Sequence, residues 1–309
     1  MAGRTAFIHV DIDDLWSIGE CYGVGVPHEQ AGLVYRDALP RFRALFAETG
    51  VRATFFAVGR DVQNTDKAAM LRALMDDGHR VANHSWAHDL RYRTLSEGEL
   101  DLDVSRTEQV MRERLGVVPR GFRAPGYGAS AALLRVLARR GYAYDSSIMP
   151  GPWGWVFRAL DRRLQRKAGG GGIAKTQYSR FGEAFGPLAP YRVDPSRPLM
   201  RDDASPLMEL PAATAPLLRL PFQAGVCMRL GGWYFRTLLR SFALRPGMPV
   251  LFLFHGADLA DFSDVTLPFF RKNAFFNTPL ERRLDQARGF IRAITARANV
   301  VTTEEWLDT

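Results

Sequence analysis

Short apolar runs that end in acids or histidines alternate along this chain with stretches of helical periodicity. The first, Phe7-Ile8-His9-Val10-Asp11-Ile12-Asp13, mixes aromatic and β-branched residues and predicts a buried strand that carries carboxylates to its end. A helix is expected over 39–49, stopped by Gly50, then a strand over 52–58, a helix over 68–77 stopped by Gly78, and a short strand over 80–83. Ser96-Glu97-Gly98-Glu99 is a capping box opening a helix that runs to about residue 115, where Gly116 ends it. The beat continues with a strand at 121–123, a helix at 130–140 and a strand at 142–145. Regular alternation of strand and helix implies a parallel sheet or barrel.

From Pro150 to about Leu220 the rhythm gives way to Pro-, Gly- and Arg-rich sequence, which reads as an irregular insertion over one face. It returns with a helix at 234–242, a strong strand at 250–254 ending in His255, and a long helix opened by Thr278-Pro279-Leu280-Glu281, with the threonine as cap and the proline in first position. Residues 299–302 close as a strand, with a turn at Glu304-Glu305-Trp306 behind it. No internal repeat is evident, and the expectation is one domain over 1–309 with an insertion at about 150–220.

Composition narrows the partners. A net charge of +8 favours acidic ones, yet no nucleic-acid-binding signature is present, so nucleic acid is not expected. The positive excess peaks at 158–167, just after Trp153, Trp155 and Phe157, a basic aromatic stretch that reads as a solvated surface helix with its aromatics turned inward or as a peripheral contact with an anionic bilayer. Gly169 to Gly172 reads as a hinge. No run approaches the roughly 18 apolar residues of a membrane span, no leader is evident, and Cys21 and Cys227 form no disulfide framework. The expected compartment is the cytoplasm, including the inner membrane face.

His84 and His88 stand four apart, a spacing at which one turn of helix or a tight helical loop brings two imidazoles to one cation. Alone, the pair could equally be surface decoration. Strand ends, however, also supply Asp11, Asp13, Asp14, Arg123, Asp145 and His255, and in a barrel such ends converge on one mouth. Two histidines and a carboxylate with open positions suit a catalytic divalent ion. Strand alternation puts Asp11 and Asp13 on one face and Asp14 on the other. His9 reads as a satisfied core histidine. Asp258, Asp261 and Asp264 read as a solvated loop, with Asp258 near enough in sequence to touch substrate.

Five ordered motifs carry a family resemblance: Val10-Asp11-Ile12-Asp13-Asp14, His84-Ser85-Trp86-Ala87-His88, Arg123-Ala124-Pro125, Tyr144-Asp145-Ser146-Ser147 and Leu253-Phe254-His255, with Ala53-Thr54-Phe55-Phe56 as second strand. In these the chain resembles the polysaccharide deacetylase family, also called the NodB homology or carbohydrate esterase 4 family, in its D-x-D branch. The resemblance implies an α/β fold, a distorted (β/α) barrel of the NodB deacetylase type. It also implies a hydrolase of N-acyl amino sugars that uses one divalent metal, Zn2+ first, with Co2+, Ni2+ or Mn2+ as alternatives. Asp13, favoured by its sharing a face with Asp11, or Asp14 as the alternative, would hold the metal with His84 and His88; Asp11 would be general base, and His255 would protonate the departing amine. Arg123 would orient Asp11, Asp145 would hold or charge His255, and an amide of Gly126 or Tyr127 would stabilise the oxyanion. Trp86, between the histidines, is a further candidate contact for substrate.

Gly126 stands where many exported members carry an aromatic residue. The absent leader and the basic aromatic insertion point to an N-acetyl or N-formyl amino sugar that is lipid-linked or an envelope-glycan precursor. The alternatives are an allantoinase-like amidohydrolase acting on a small amide, and a non-catalytic binding module.

Overall fold

Strand β1 (Thr5–Ile12) is buried from Ala6 onward because both of its faces are covered, which is why its sequence is apolar almost without interruption. The computed structural model of the chain describes residues 3–154, 181–267 and 278–309. Around β1 it assembles a ten-stranded sheet from β2 (Thr54–Ala57), β3 (Arg80–Asn83), β4 (Gly121–Phe122), β5 (Tyr144–Asp145), β6 (Tyr191–Asp194), β7 (Arg197–Arg201), β8 (Met208–Glu209), β9 (Val250–His255) and β10 (Asn299–Val300). The order is β10-β1-β2-β3-β4-β5-β8-β6-β7, with β9 on the other side of β1. All pairings are parallel except those of β6 with β7 and β8. The sheet curls into a half-barrel. Among the described residues, no regular ladder joins β9 to β8; isolated bridges of Gln223 to Leu253 and of Thr214 to Pro221 stand there instead, and this is where the barrel is distorted.

The helices are α1 (Leu15–Tyr22), α2 (His28–Ala31), α3 (Leu39–Thr49), α4 (Gly59–Gln63), α5 (Thr65–Asp76), α6 (Glu97–Leu115), α7 (Ala131–Arg139), α8 (Ala224–Leu230), α9 (Gly232–Ser241), α10 (Leu280–Thr295) and α11 (Thr303–Leu307). A π-turn, Val34–Ala38, runs into α3. Side-chain alternation sorts two cores. Ile8, Val10, Ile12, Phe55, Phe252 and Phe254 face the helices, whereas Phe7, Phe56, Ala82, Leu251 and Leu253 fill the inside of the curl. Asp11 shares the inward face with Phe7 and His9.

Parallel register then levels the carboxyl ends. Asp11 pairs with His255 and with Phe56, Asn83 with Ala57 and Phe122, and Asp145 with Phe122 and Glu209. One edge of the sheet therefore gathers residues scattered over most of the sequence.

Several expected elements shift. The described part of the 150–220 insertion is not merely irregular: β8 extends the parallel sheet, and β6 and β7 continue it. Residues 155–180, and with them most of the basic aromatic stretch and the glycine hinge, lie outside the described residues. Helix α10 starts one residue later than expected, with Pro279 in the capping position. The turn after β10 is the short helix α11, opened by a capping box of Thr302 and Glu305. Helix α1, whose cap is Asp14, carried no periodic signal strong enough to predict.

Candidate metal centre and active site

β1 ends by turning Asp13 toward the loop that follows β3. Asp13 Oδ1 lies 3.2 Å from His84 Nε2 and 3.3 Å from His88 Nε2. The ligand-type atoms of the three residues all lie within 4.8 Å of one another, and both histidines are buried. The loop is not helical: Ser85 (φ 67°) and His88 (φ 54°) adopt left-handed backbone, and two turns rather than one helical turn bring the rings together. Asn83 Oδ1 accepts the Ser85 amide at 2.9 Å and Ser85 Oγ accepts the His88 amide at 3.0 Å, which fixes both turns. Gly59 lets α4 approach. A Cβ there would sit 2.6 Å from the Trp86 ring, yet its amide must reach Ser85 O at 2.9 Å.

The outer ring nitrogens decide the tautomers. Arg123 O lies 2.7 Å from His84 Nδ1, and a carbonyl can only accept, so the neutral ring carries its proton there and turns the Nε2 lone pair inward. His88 Nδ1 lies 3.3 Å from Cys21 Sγ. Asp13 Oδ1 is itself buried with no aligned hydrogen-bond donor among the described residues. Burial opposes ionisation of Asp13, but His88 and His84 outweigh it and hold the carboxyl well below the usual range. Burial opposes charge on both rings too. Asp13 nevertheless raises His84, while His88 is left lowered. Two inward nitrogens and one orphaned carboxylate oxygen form a donor set that fits a divalent cation.

Beside this centre, Arg123 Nη1 donates to Asp11 Oδ1 at 2.6 Å, and neither side chain is more than 4% exposed. The same guanidinium donates to His9 Nδ1 (2.7 Å), Ser146 Oγ (2.8 Å) and Ser146 O (3.0 Å), and lies over the Phe56 ring. His9, accepting at Nδ1, has Nε2–H for Thr303 Oγ1 at 2.8 Å. Burial, then Arg123, pushes its pKa well down, and it is a neutral core residue as expected. Asp11 Oδ2 faces His255 Nε2 at 3.9 Å, and the His255 side chain is 34% exposed, so this edge of the pair opens to solvent.

Four expected partners are placed elsewhere. Asp14 does not join the histidines: its Oδ1 accepts the Leu15 and Val34 amides, and its Oδ2 pairs with Lys67 Nζ at 2.6 Å. Lys67 also pairs with Asp61 at 2.5 Å. Asp145 accepts from Ser147 Oγ at 2.5 Å and stands beside Glu209 rather than pairing with His255. Parallel pairing sets Asp145 beside Glu209, and a proton shared between two buried carboxyls so placed would relieve their repulsion. Burial first, opposed by the hydrogen bonds, lifts Asp145 to about 6. Burial and then Asp145 lift Glu209 well above the usual range. Trp86 turns from the centre to α6, where Arg106 stacks on its ring at 3.8 Å. Asp258 is not solvated but 2% exposed, and accepts the His255 amide at 2.8 Å.

Gly126 (φ 58°) and Tyr127 (φ 57°) form a left-handed pair after Pro125. The Tyr127 amide is used on Ala124 O at 3.1 Å, and its hydroxyl accepts from Gln223 at 3.0 Å. Lys67, Cys21 and Glu209 are the partners that sequence reasoning missed. Only Glu209 left a trace, as an acid at the end of a short apolar run.

Residues 30–144 match the family model described as polysaccharide deacetylase. The peptidoglycan deacetylase of Helicobacter pylori is 25% identical over 111 residues, covering 36% of this chain and 37% of that protein. Chitin deacetylase 1 of Cryptococcus neoformans var. grubii is 31% identical over 132 residues, covering 40% of this chain and 27% of that protein. The matched region thus spans well under half the length of these relatives. A crystal structure of a candidate polysaccharide deacetylase from Mycobacterium smegmatis superposes with a TM-score of 0.63 over 99% of this chain and 90% of its own, at 19% identity, a likeness of fold.

Proposed function

The chain belongs to the polysaccharide deacetylase family through residues 30–144, and on that premise we propose that it is a metal-dependent N-deacylase of an amino sugar. The observation that carries the reading is the meeting of Asp13 Oδ1 with two inward Nε2 atoms directly beside the Asp11–Arg123 pair. Asp13, His84 and His88 would hold the cation. When bound there, a divalent ion supplies a Lewis acid for the acyl oxygen and lowers the pKa of a water to about 7.

The remaining work falls to the chain's own residues. Asp11 is the general base, and Arg123 holds its Oδ1, leaving Oδ2 for the proton of the attacking water. His255, open to solvent and 3.9 Å from that oxygen, donates to the departing amine. With the Tyr127 amide engaged, Gly126 N–H is the donor of the turn assigned to the oxyanion. Asp145 acts here through Ser147, whose Oγ accepts the Ala124 amide at 2.8 Å and so sets the same turn.

The acyl group is acetyl or formyl, and the sugar is carried on a lipid met at the inner membrane face. Supporting the lipid are exposed apolar side chains: Leu218 is 71% exposed and Phe185 74% exposed, and Trp153 Nε1 donates to Leu218 O at 3.3 Å. A net charge of +8 supports attraction to an anionic leaflet. Among the described residues no helix is long and apolar enough to cross a membrane. The test is release of acetate and formate from N-acylated amino sugars, free and lipid-linked, against ring opening of cyclic ureides. Acyl release from the lipid-linked sugar is expected. Release from neither sugar form would overturn the reading, and ureide opening alone would replace it with an amidohydrolase of small amides.

A further inference from the structure

We propose that Cys21 is a positioning residue of the metal centre, whose sulfur accepts the His88 Nδ1 proton and keeps the Nε2 lone pair on the cation. The inference rests on the metal reading above and adds the element that completes it. His84 has a carbonyl, Arg123 O, to fix its tautomer. For His88 that place is taken by Cys21 Sγ, 3.3 Å from Nδ1.

The thiol grips His88 at two points. If Nδ1–H donates to the sulfur, the S–H is left to donate, and His88 O lies within reach at 3.8 Å. Ring and carbonyl of one residue are thereby tied to one side chain. The tie has a load to bear, because His88 holds a left-handed backbone that a non-glycine residue adopts only when its surroundings impose it. Cys21 reaches this position through α1, whose start is capped by Asp14, the residue after the ligand Asp13. One short helix thus couples the carboxylate ligand to the outer partner of a histidine ligand. Outer partners of ligating histidines fix ring orientation and raise ligand basicity, and removing one typically lowers metal affinity ~10- to 100-fold. Sulfur is a weaker acceptor than a carboxylate, which places this chain near the lower bound.

The test uses the full-length protein with Co2+ as the probe, read by its visible absorption bands and by Zn2+ competition against a chelator. Cys21→Ala should weaken Co2+ about 10-fold and shift the bands, whereas Cys21→Ser, whose oxygen can accept the same proton, should stay within about 3-fold of the parent. Equal affinity and an unchanged spectrum in a folded Cys21→Ala protein would overturn the proposal. Should that variant not fold, 15N NMR of the parent's histidines at mildly alkaline pH, without added metal, decides instead. Nδ1–H on His88 is expected, and Nε2–H would refute it. A parent chain that binds no Co2+ would bring down the metal reading itself, a failure distinct from that of the thiol.

Discussion

Asp11 and Arg123, 112 residues apart in sequence, meet at 2.6 Å inside the curl of the sheet, where the guanidinium is fully buried. A buried carboxylate without its cation is expensive, so Arg123→Met should cost about 3–5 kcal/mol in urea unfolding. Arg123→Lys should not restore it, because one ammonium cannot replace the fork that reaches Asp11, His9 and Ser146 together. An unchanged urea midpoint in either variant would contradict this role.

Asp13 and Asp14 are adjacent but separable. Lys67→Met leaves Asp14 and Asp61 as neighbouring buried carboxyls and should destabilise the chain by about 3 kcal/mol, while one equivalent of cation still binds under conditions where the variant is folded. His84→Ala should lose the cation. Equilibrium dialysis with metal analysis checks both. Loss of the cation in folded Lys67→Met would move Asp14 into the centre.

Asp103 gives the fold a pH dependence. Burial raises its carboxyl to about 6 against the bonds it accepts from the Trp86 amide and the Tyr92 hydroxyl. The folded chain therefore holds the proton more tightly than the unfolded one, and this contribution is fully present below the unfolded carboxylate value of about 4 and lost as pH rises through 6. Asp103→Asn keeps the accepting oxygen and removes the charge. Its stability relative to the parent should rise by about 2 kcal/mol between pH 4 and pH 7. A flat difference across that interval would show the carboxyl to be unperturbed.

The Asp145–Glu209 pair makes a test by isostere. Glu209→Gln can still accept the Ile148 amide, which reaches Oε1 at 3.0 Å, and can donate to Asp145, so it should cost less than about 1 kcal/mol. Glu209→Ala strands both partners and should cost about 2–4 kcal/mol. Equal unfolding midpoints for the two variants would mean that no proton is shared there.

Much of this was legible in the sequence. Asp11, Asp13, His84, Arg123 and His255 stand at the ends of short apolar runs, and parallel register requires those ends to lie level, so local pattern carried long-range geometry. Alternation likewise separated Asp13 from Asp14. Asp145 failed because its residue type fits two partners, and only the pairing of β5 with β8 chooses Glu209. That pairing was hidden in a Pro-rich stretch that periodicity could not resolve. Trp86 failed because a sequence position between two ligands says nothing about which side its ring takes; the space over Gly59 and the Arg106 stack decide that. Lys67 and Cys21 lie on helices, and what they touch depends on how those helices dock.

The division of labour between holding a cation and moving a proton is tested most directly by Asp11→Asn. Acyl release is measured on the same sample in which bound metal is counted. The account predicts one equivalent of cation, as in the parent, with hydrolysis reduced by a factor on the order of 10² or more. Hydrolysis at the parental rate in that variant would contradict it.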